Sequence, residues 1–239
     1  MYKRVIIKLS GEALAGSQDF GFDDAVIDKI IGQIALVMGR GVQVALVVGG
    51  GNFWRGRGAG PEMDRVKADQ IGMMATVMNA IYLTERFRIK GIHSVVMTPA
   101  IIGVITEQFS KDKALEYMEK GSVIIFACGT GHPFFSTDTI AAIRGAELNA
   151  DALLFAKNID GVYDSDPIKN MKARKLDRIT YKEIMINDLK VIDLAVCGIC
   201  VELGMTSVVF GLDEPGGLIS AVSGVDEEIF RIGTKLTVD

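Results

Sequence analysis

The sequence predicts an α/β fold, a three-layer α/β/α sandwich around a mostly parallel sheet. Short β-branched runs recur without the polar alternation of half-exposed strands, which is typical of strands buried on both faces. Segments in which apolar residues follow helical spacing separate most of these runs. The 239 residues contain no internal repeat, low-complexity segment or linker, so we expect one domain.

Six runs are predicted to be strands, at residues 3–9, 42–48, 93–97, 122–127, 152–156 and 207–210. The basic start of the chain is followed by an apolar run, but Lys8 and Ser10 interrupt it. We therefore expect a first strand and a cytoplasmic protein rather than a signal segment. The longest apolar runs are too short to cross a bilayer, so we expect no membrane partner.

Helical spacing predicts one helix within residues 23–41 and another within residues 110–121, with Ser110 as its cap. The end of the chain differs from this alternation. Residues 229–238 form two short alternating runs around Gly233, which predicts a hairpin or a pair of edge strands.

Charge and cysteine content exclude several classes of protein. The formal net charge of −4 argues against a nucleic-acid binder, which normally carries a basic face. Any phosphate ligand must therefore be held by local features. Cys197 and Cys200 form a C-x-x-C pair, but no second pair and no nearby histidine completes a zinc site. With Cys128 as the third cysteine, we interpret the pair as buried thiols in an apolar helix.

Ligands of such sheets bind at the carboxyl ends of the strands, so the loops after the strands predict the function. After the first strand, Lys8 supplies a charge and Gly11 permits close approach of the backbone, although a plain turn fits equally well. After the second strand, the triple glycine at residues 49–51 leaves N–H groups uncovered for an anion. Arg55 and Arg57 add guanidinium groups beside it, whereas a flexible loop is the alternative.

The third loop, residues 128–139, combines exposed glycine backbone with a predicted helix start. A helix N-terminus there would direct its dipole at the loop. Asp138 could simply cap this helix. Its other uses would be to hold Mg²⁺, directly or through water, or to orient a lysine beside transferring phosphates.

A fourth loop, residues 156–167, carries Tyr163 and Asp166, which could bracket a purine ring and its ribose. The sequence contains no P-loop motif and no G-x-G-x-x-G after a strand. No Ser-His-Asp or zinc set is apparent either. Glycine loops with lysine, arginine and few acids suit phosphoryl transfer, where positioning and charge neutralisation dominate.

Five motifs together resemble those of the bacterial uridylate kinases, a family of the amino acid kinase superfamily. They are KLSGEAL, GGGNFWRG, DQIGMMATVMNA, GTGHPFFSTDT and KNIDGVYDSDP, in the family's order and approximate spacing. The resemblance runs from Lys3 to near the C-terminus. It implies an amino acid kinase-like fold with an acceptor-binding lobe of roughly residues 1–150 and an ATP-binding lobe of roughly residues 151–239.

The resemblance also implies the reaction. Such enzymes transfer the γ-phosphoryl group of Mg-ATP to UMP, giving UDP and ADP in pyrimidine nucleotide biosynthesis. We therefore expect Mg²⁺ as the cofactor, UMP and ATP as substrates, and a homohexamer without a nucleic-acid substrate. GTP activation and UTP inhibition are further expectations. The segment that corresponds to the GTP-contacting region consists of Gly16, Ser17, Gln18, Asp19, Phe20 and Gly21.

The same resemblance assigns the site residues. The catalytic residues would be Lys8, Arg55 and Asp138, with Asp138 organising the lysine and the magnesium ion. The ATP phosphates would contact Lys8, Leu9, Ser10, Gly11, Gly51 and Arg55. The adenosine half would contact Lys157, Asn158, Tyr163 and Asp166. UMP would contact Gly50, Asp69, Thr130, Gly131, His132, Pro133, Phe134, Phe135, Ser136 and Thr137.

Some positions leave alternatives open. Asp69 would accept from the ribose hydroxyls, or it is a solvated charge on a helix. Met74 and Met78 are expected in the core or in a subunit interface rather than in a ligand site. His132 and Ser136 stand where the family usually has Asn and Thr, and the charge of His132 could couple UMP binding to pH.

Two rival functions remain. A related enzyme could phosphorylate a carboxylate, carbamate or isopentenyl phosphate, but the GTGHPFFSTD loop and Asp69 favour a nucleotide acceptor. A nucleotide-binding storage or regulatory protein on the same fold is the other rival. The presence of Lys8, Arg55 and Asp138 together favours catalysis.

Overall fold

The computed structural model describes residues 1–55, 58 and 60–239. The strands of this part are β1 (Arg4–Leu9), β2 (Gln43–Val48), β3 (Ser94–Thr98), β4 (Glu107–Gln108), β5 (Val123–Phe126), β6 (Ala152–Lys157), β7 (Val162–Tyr163), β8 (Lys175–Leu176), β9 (Arg178–Thr180), β10 (Ser207–Gly211) and β11 (Gly233–Thr237). Its helices are α1 (Gly11–Ala15), α2 (Asp24–Met38), α3 (Arg65–Ile89), α4 (Lys111–Glu119), α5 (Thr137–Glu147), α6 (Tyr181–Ile186), α7 (Leu194–Leu203), α8 (Gly217–Ser223) and α9 (Asp226–Ile232).

One large sheet organises the described chain, in the order β4-β3-β5-β2-β1-β6-β10-β11-β9. Strand β1 lies near its centre and is parallel to both β2 and β6. Only β11 runs antiparallel to a neighbour within this sheet, where it pairs with β10. Alternate side chains of the same strands enter two separate apolar layers, one on each face. The predicted α/β/α sandwich around a mostly parallel sheet is confirmed.

Most predicted elements have the predicted type. The six strands lie within one or two residues of their predicted bounds, and the helix expected within residues 23–41 is α2. Asp23 caps α2 by accepting from the backbone N–H groups of Ala25 and Val26. The helix expected within residues 110–121 is α4, and Ser110 occupies its N-cap position as predicted, although its side chain makes no capping hydrogen bond.

The prediction for the end of the chain was half wrong. Residues 229–232 complete α9 instead of forming a strand. Ile229 and Ile232 are both buried, a helical spacing, and acidic residues in the first turn complement the helix dipole. The second run is β11, which pairs antiparallel with β10 and parallel with β9.

Sulfur-containing side chains occupy two different environments. Cys197 and Cys200 are free and buried on α7, as the sequence indicated, and burial raises the pKa of Cys197 to about 11. Met74 and Met78 on α3 are 47% and 49% exposed, so they are not core residues of this chain.

The structure shows no described helix that is long and apolar enough to cross a membrane.

Candidate active site

The carboxyl ends of β1, β2, β5 and β6 lie at one edge of the sheet, because these strands are mutually parallel. Lys8 and Lys157 are at the ends of β1 and β6, and the triple-glycine loop follows β2. The loop of residues 128–136 follows β5 and leads into α5. The four loops predicted from the sequence therefore converge.

Asp138 is the centre of this edge. It lies in the first turn of α5, where the helix is capped not by Asp138 but by Ser136, whose Oγ accepts from the N–H groups of Asp138 and Thr139. Lys8 Nζ lies 2.9 Å from Asp138 Oδ1, and Lys157 Nζ donates to Oδ2 at 2.9 Å. One buried carboxylate thus bridges two ammonium groups that come from different strands.

The ionisation of Asp138 follows from this geometry. Burial alone would raise its pKa, but the nearby positive charges of Lys8 and Lys157 outweigh burial and lower the pKa below its usual value. The carboxylate is therefore ionised at neutral pH and leaves the cluster with one net positive charge. This geometry directly supports one of the uses considered for Asp138, the orientation of lysine.

Two cavities flank this cluster. The first, of about 380 Å³, includes Lys8, Asp138 and the triple-glycine loop in its lining. The second, of about 730 Å³, includes Lys157. Ser10, Glu12 and Arg55 line both cavities. A ligand in each cavity would therefore meet the other at the buried lysine–aspartate cluster.

The glycines of the first two loops have no room for side chains. A Cβ on Gly11 would lie 2.7 Å from Oδ1 of Asn52 and would overlap the backbone nitrogen of Gly51. A Cβ on Gly50 would lie 2.9 Å from the carbonyl oxygen of Gly72 on α3. The loops thus touch backbone to backbone, which leaves uncovered peptide groups at the cavity wall.

Arg55 lies at the border of the two cavities but not at Asp138. Its side chain is 68% exposed and forms an ion pair with Glu12 at 2.6 Å. Because Glu12 lies in the first turn of α1, the pair connects the first and second loops. Arg57, the second arginine considered for this loop, lies outside the described residues.

Asp69 is more than a solvated helix charge. Its Oδ2 accepts from the backbone N–H of Phe134 at 2.8 Å, and its Oδ1 accepts from Arg65 at 2.9 Å. The carboxylate is only 16% exposed and links α3 to the loop of residues 128–136. Ribose hydroxyls would have to share it with these partners.

The residues assigned to UMP do not all reach the first cavity. Its lining includes Gly50, Asp69, His132, Phe134, Phe135, Ser136 and Thr137. Thr130, Gly131 and Pro133 are not part of that lining. Thr130 instead bonds the backbone of His132. Gly131 has φ +82°, and a Cβ there would lie 2.9 Å from Cβ of Pro99, so these residues shape the loop.

The residues assigned to the ATP phosphates are divided in a similar way. Gly11 and Gly51 line the first cavity, and Ser10 and Arg55 line both cavities. Leu9 lines neither, because its side chain is 1% exposed and lies in the core.

The residues assigned to adenosine all line the second cavity. They are Lys157, Asn158, Tyr163 and Asp166. Tyr163 donates its hydroxyl to Asp160 at 2.8 Å, and Asp166 accepts from the N–H of Ile168 at 3.0 Å. Lys157 differs from the others because its ammonium group lies on Asp138. It therefore belongs to the central cluster as much as to the adenosine side.

Several cavity residues were not predicted. Glu12, Trp54, Arg65, Asp193 and residues 188–191 line one or both cavities. Glu12, Trp54 and Arg65 lie within or near the quoted motifs, so their proximity to those motifs could have identified them as cavity residues. Asp193 and residues 188–191 precede an apolar helix, and no local pattern indicates that they face a cavity.

The segment of residues 16–21 lies apart from both cavities as the described residues define them. Gly16 and Ser17 line another cavity of about 360 Å³. Phe20 is 64% exposed and packs edge-on against Phe53 with ring centroids 4.9 Å apart. Glu12 and Asn158 line this cavity too, and both also line the nucleotide cavities, so a ligand at this segment would adjoin the site.

The donor set fits a magnesium ion that arrives with a nucleotide. Within the described part of the chain, no three His, Cys, Asp or Glu side chains are grouped to hold a metal. Mg²⁺ usually keeps several waters and is bound by substrate phosphates with one or two carboxylates. Asp138 could supply such a carboxylate through water, because both of its oxygens already face ammonium groups.

The fold and the site define a phosphotransferase of the α/β/α class. A parallel sheet presents glycine backbone, the buried Lys8 and the partly buried Lys157 at the border of two cavities, which suits the transfer of a charged group. The chain belongs to the amino acid kinase family, whose sequence profile matches residues 3–211.

Solved structures agree with this assignment. The chain is similar to a UMP kinase from Bacillus anthracis, with a TM-score of 0.93 and 33% identity over 100% of this chain and 97% of that one. It is also similar to a UMP kinase from Ureaplasma parvum, with a TM-score of 0.90 and 33% identity over 99% of each chain.

Proposed function

We propose that this chain is a UMP kinase, which transfers the γ-phosphoryl group of ATP to UMP and releases UDP and ADP. The observation that carries the proposal is the Lys8–Asp138–Lys157 cluster between the two cavities. Two anionic substrates repel each other, so their phosphates can meet only where fixed positive charge and N–H dipoles are present. The similarity to two UMP kinases supports UMP as the acceptor.

The proposed mechanism relies on positioning and charge. UMP occupies the first cavity against Gly50 and the loop of residues 128–137, and ATP places its adenosine in the second. Lys8 and Lys157 stabilise the negative charge that develops on the transferring group, while the ionised Asp138 keeps their ammonium groups in place. Bound Mg²⁺ would neutralise ATP phosphate oxygens. The chain needs no general base, because the attacking phosphate of UMP is already an anion.

Arg55 supplies a positive charge that can change its partner in this scheme. Its guanidinium is exposed and paired with Glu12, so it can exchange that partner for a phosphate oxygen when a nucleotide binds. Gly51 and Gly11 present backbone N–H groups to the same phosphates. The division into an acceptor lobe, roughly residues 1–150, and an ATP lobe, roughly residues 151–239, forms part of the proposal and is supported by the two cavities.

The test is ADP release from Mg-ATP, with UMP, CMP, dUMP, carbamate and N-acetylglutamate offered separately. We expect strong turnover with UMP and little with carbamate or N-acetylglutamate. Turnover with an amino acid or carbamate alone would reassign the acceptor. Tight nucleotide binding without turnover would support a storage or regulatory protein instead.

The remaining expectations extend this proposal. We propose a homohexamer, and the half-exposed Met74 and Met78 on α3 support packing between subunits. Analytical ultracentrifugation tests the hexamer. A protein that sediments as a monomer at micromolar concentration would contradict it. The cytoplasmic location is an expectation from the sequence pattern, and the role in pyrimidine nucleotide biosynthesis rests on the family resemblance. GTP activation and UTP inhibition rest on it as well, and dose-response curves at subsaturating UMP test both.

A further inference from the structure

Two buried asparagines form a pair behind the triple-glycine loop. Asn79 lies on the buried face of α3 and is 0% exposed, and Asn52 follows Gly51 and is 2% exposed. Nδ2 of Asn79 donates to Oδ1 of Asn52 at 2.7 Å, and Nδ2 of Asn52 donates to Oδ1 of Asn79 at 3.0 Å. The two amides are therefore bonded reciprocally.

The second hydrogen of each amide holds a loop. Asn79 Nδ2 donates to the carbonyl oxygen of Gly49 at 2.6 Å, and Asn52 Nδ2 donates to that of Gly21 at 2.9 Å. The backbone N–H of Gly21 donates in turn to the Asn52 carbonyl at 3.2 Å. All four amide hydrogens are used, as a buried polar pair requires. The pair joins α3, the triple-glycine loop and the end of the segment of residues 16–21.

The bond to the Gly49 carbonyl fixes the direction of the neighbouring Gly50 N–H group. The carbonyl of Gly49 and the N–H of Gly50 belong to one peptide group, which is trans, so they point in opposite directions. Because Asn79 holds the carbonyl, the N–H of Gly50 points away from the amide pair. Gly50 lines the first cavity, whereas neither asparagine is part of the described lining of the two nucleotide cavities.

We propose that Asn79 is a positioning residue for phosphoryl transfer, which acts through the Gly49–Gly50 peptide and not by touching a substrate. This inference rests on the proposed function. Backbone donors stabilise a transition state only when they are already in place, and a displacement of about 1 Å can cost about 10²-fold in rate. The same pair connects Gly21 to the triple-glycine loop, because Asn52 donates to the Gly21 carbonyl and Asn79 donates to the Gly49 carbonyl.

The experiment compares Asn79→Leu with the wild type for UDP formation from UMP and Mg-ATP. We expect kcat per folded molecule to fall about 10- to 100-fold, with the KM values of ATP and UMP changed less than kcat. Tyr181→Phe is the matched control. It removes a buried 2.6 Å hydrogen bond to Ser207, the first residue of β10, at the opposite end of the strands. Its kcat should stay within about twofold of the wild type.

A wild-type kcat in folded Asn79→Leu overturns the proposal, however much its stability falls. Where Asn79→Leu does not fold, Asn79→Ser replaces it, and the shorter side chain should give the same loss. Hydrogen exchange of the Phe53 and Trp54 amides, which both donate to the Gly50 carbonyl, is a readout of the triple-glycine loop that does not depend on turnover. Faster exchange in Asn79→Leu than in Tyr181→Phe supports the proposal, and equal exchange overturns it. A wild type that makes no UDP contradicts the proposed function alone, because exchange still tests Asn79.

Discussion

At the scale of single residues, the site depends on charges that are buried and paired. Asp138 keeps its charge inside the protein because two lysines lower its pKa more than burial raises it. The sequence indicated Lys8 and Asp138 as candidates, but their contact joins residues 130 positions apart, which no local pattern can predict. The family resemblance assigned Lys157 to adenosine, whereas its ammonium group lies on Asp138, a contact that no local pattern predicts either.

The first prediction concerns the charge that Lys8 supplies. Lys8→Ala should lower kcat by on the order of 10²–10³, because it removes a preorganised cation from the developing charge. Steady-state kinetics with UMP and Mg-ATP measure the effect. Lys120→Ala is the control, since Lys120 is exposed on the surface and pairs only with Glu116 among the contacts described. An unchanged rate in Lys8→Ala would remove Lys8 from the mechanism.

A second prediction concerns His132, which is exposed and lines the first cavity. Histidine changes charge in the physiological range, so UMP affinity should vary between about pH 5.5 and 7.5. Calorimetric titration across this range measures it. Because UMP itself gains a proton there, the informative quantity is the difference between the wild type and His132→Asn. Identical profiles for the two proteins would contradict the role of His132.

At the scale of elements, local signals were sufficient where helices and strands are regular. The apolar spacing of α2 and the β-branched run of β1 predicted both correctly. Residues 229–232 were misassigned because a short apolar run fits a strand and a helical turn equally well. The helix was determined by the burial of Ile229 and Ile232, which is a tertiary property.

The third prediction concerns the link between α3 and the loop of residues 128–136. Asp69→Asn should raise the KM of UMP more than that of ATP, because the weaker acceptor loosens the bond to the N–H of Phe134 on the acceptor side. Kinetics with one substrate varied at a time separate the two values. Equal increases in both KM values would indicate general loss of structure instead.

The fourth prediction concerns the thiols of α7. Burial raises the pKa values of Cys197 and Cys200, so the reactive thiolate is scarce at neutral pH and increases only toward strongly alkaline pH. Iodoacetamide should therefore leave both unmodified in the native protein at about pH 7.5. Mass spectrometry after denaturation, which should allow complete reaction, provides the control. Fast modification of either residue in the native protein would contradict the buried environment.

At the scale of the whole molecule, parallel strands explain why separate loops form one site. The sheet direction alone predicted that the loops after β1, β2, β5 and β6 meet at one edge. It could not predict how the loops divide the space into two cavities, because that depends on the contacts of Asp69, Glu12 and Arg55 across the site. Asp193 was missed because its cavity is created by the folding of distant segments.

The proposed transfer between the two cavities is best tested by UDP formation from UMP and Mg-ATP, measured side by side for the wild type and Asp138→Asn. We expect rapid UDP formation by the wild type and a loss on the order of 10²-fold or more in the variant, because the neutral amide no longer holds both ammonium groups in place. A wild type that forms no UDP would contradict the proposed function. A variant as active as the wild type would contradict the proposed role of the Lys8–Asp138–Lys157 cluster.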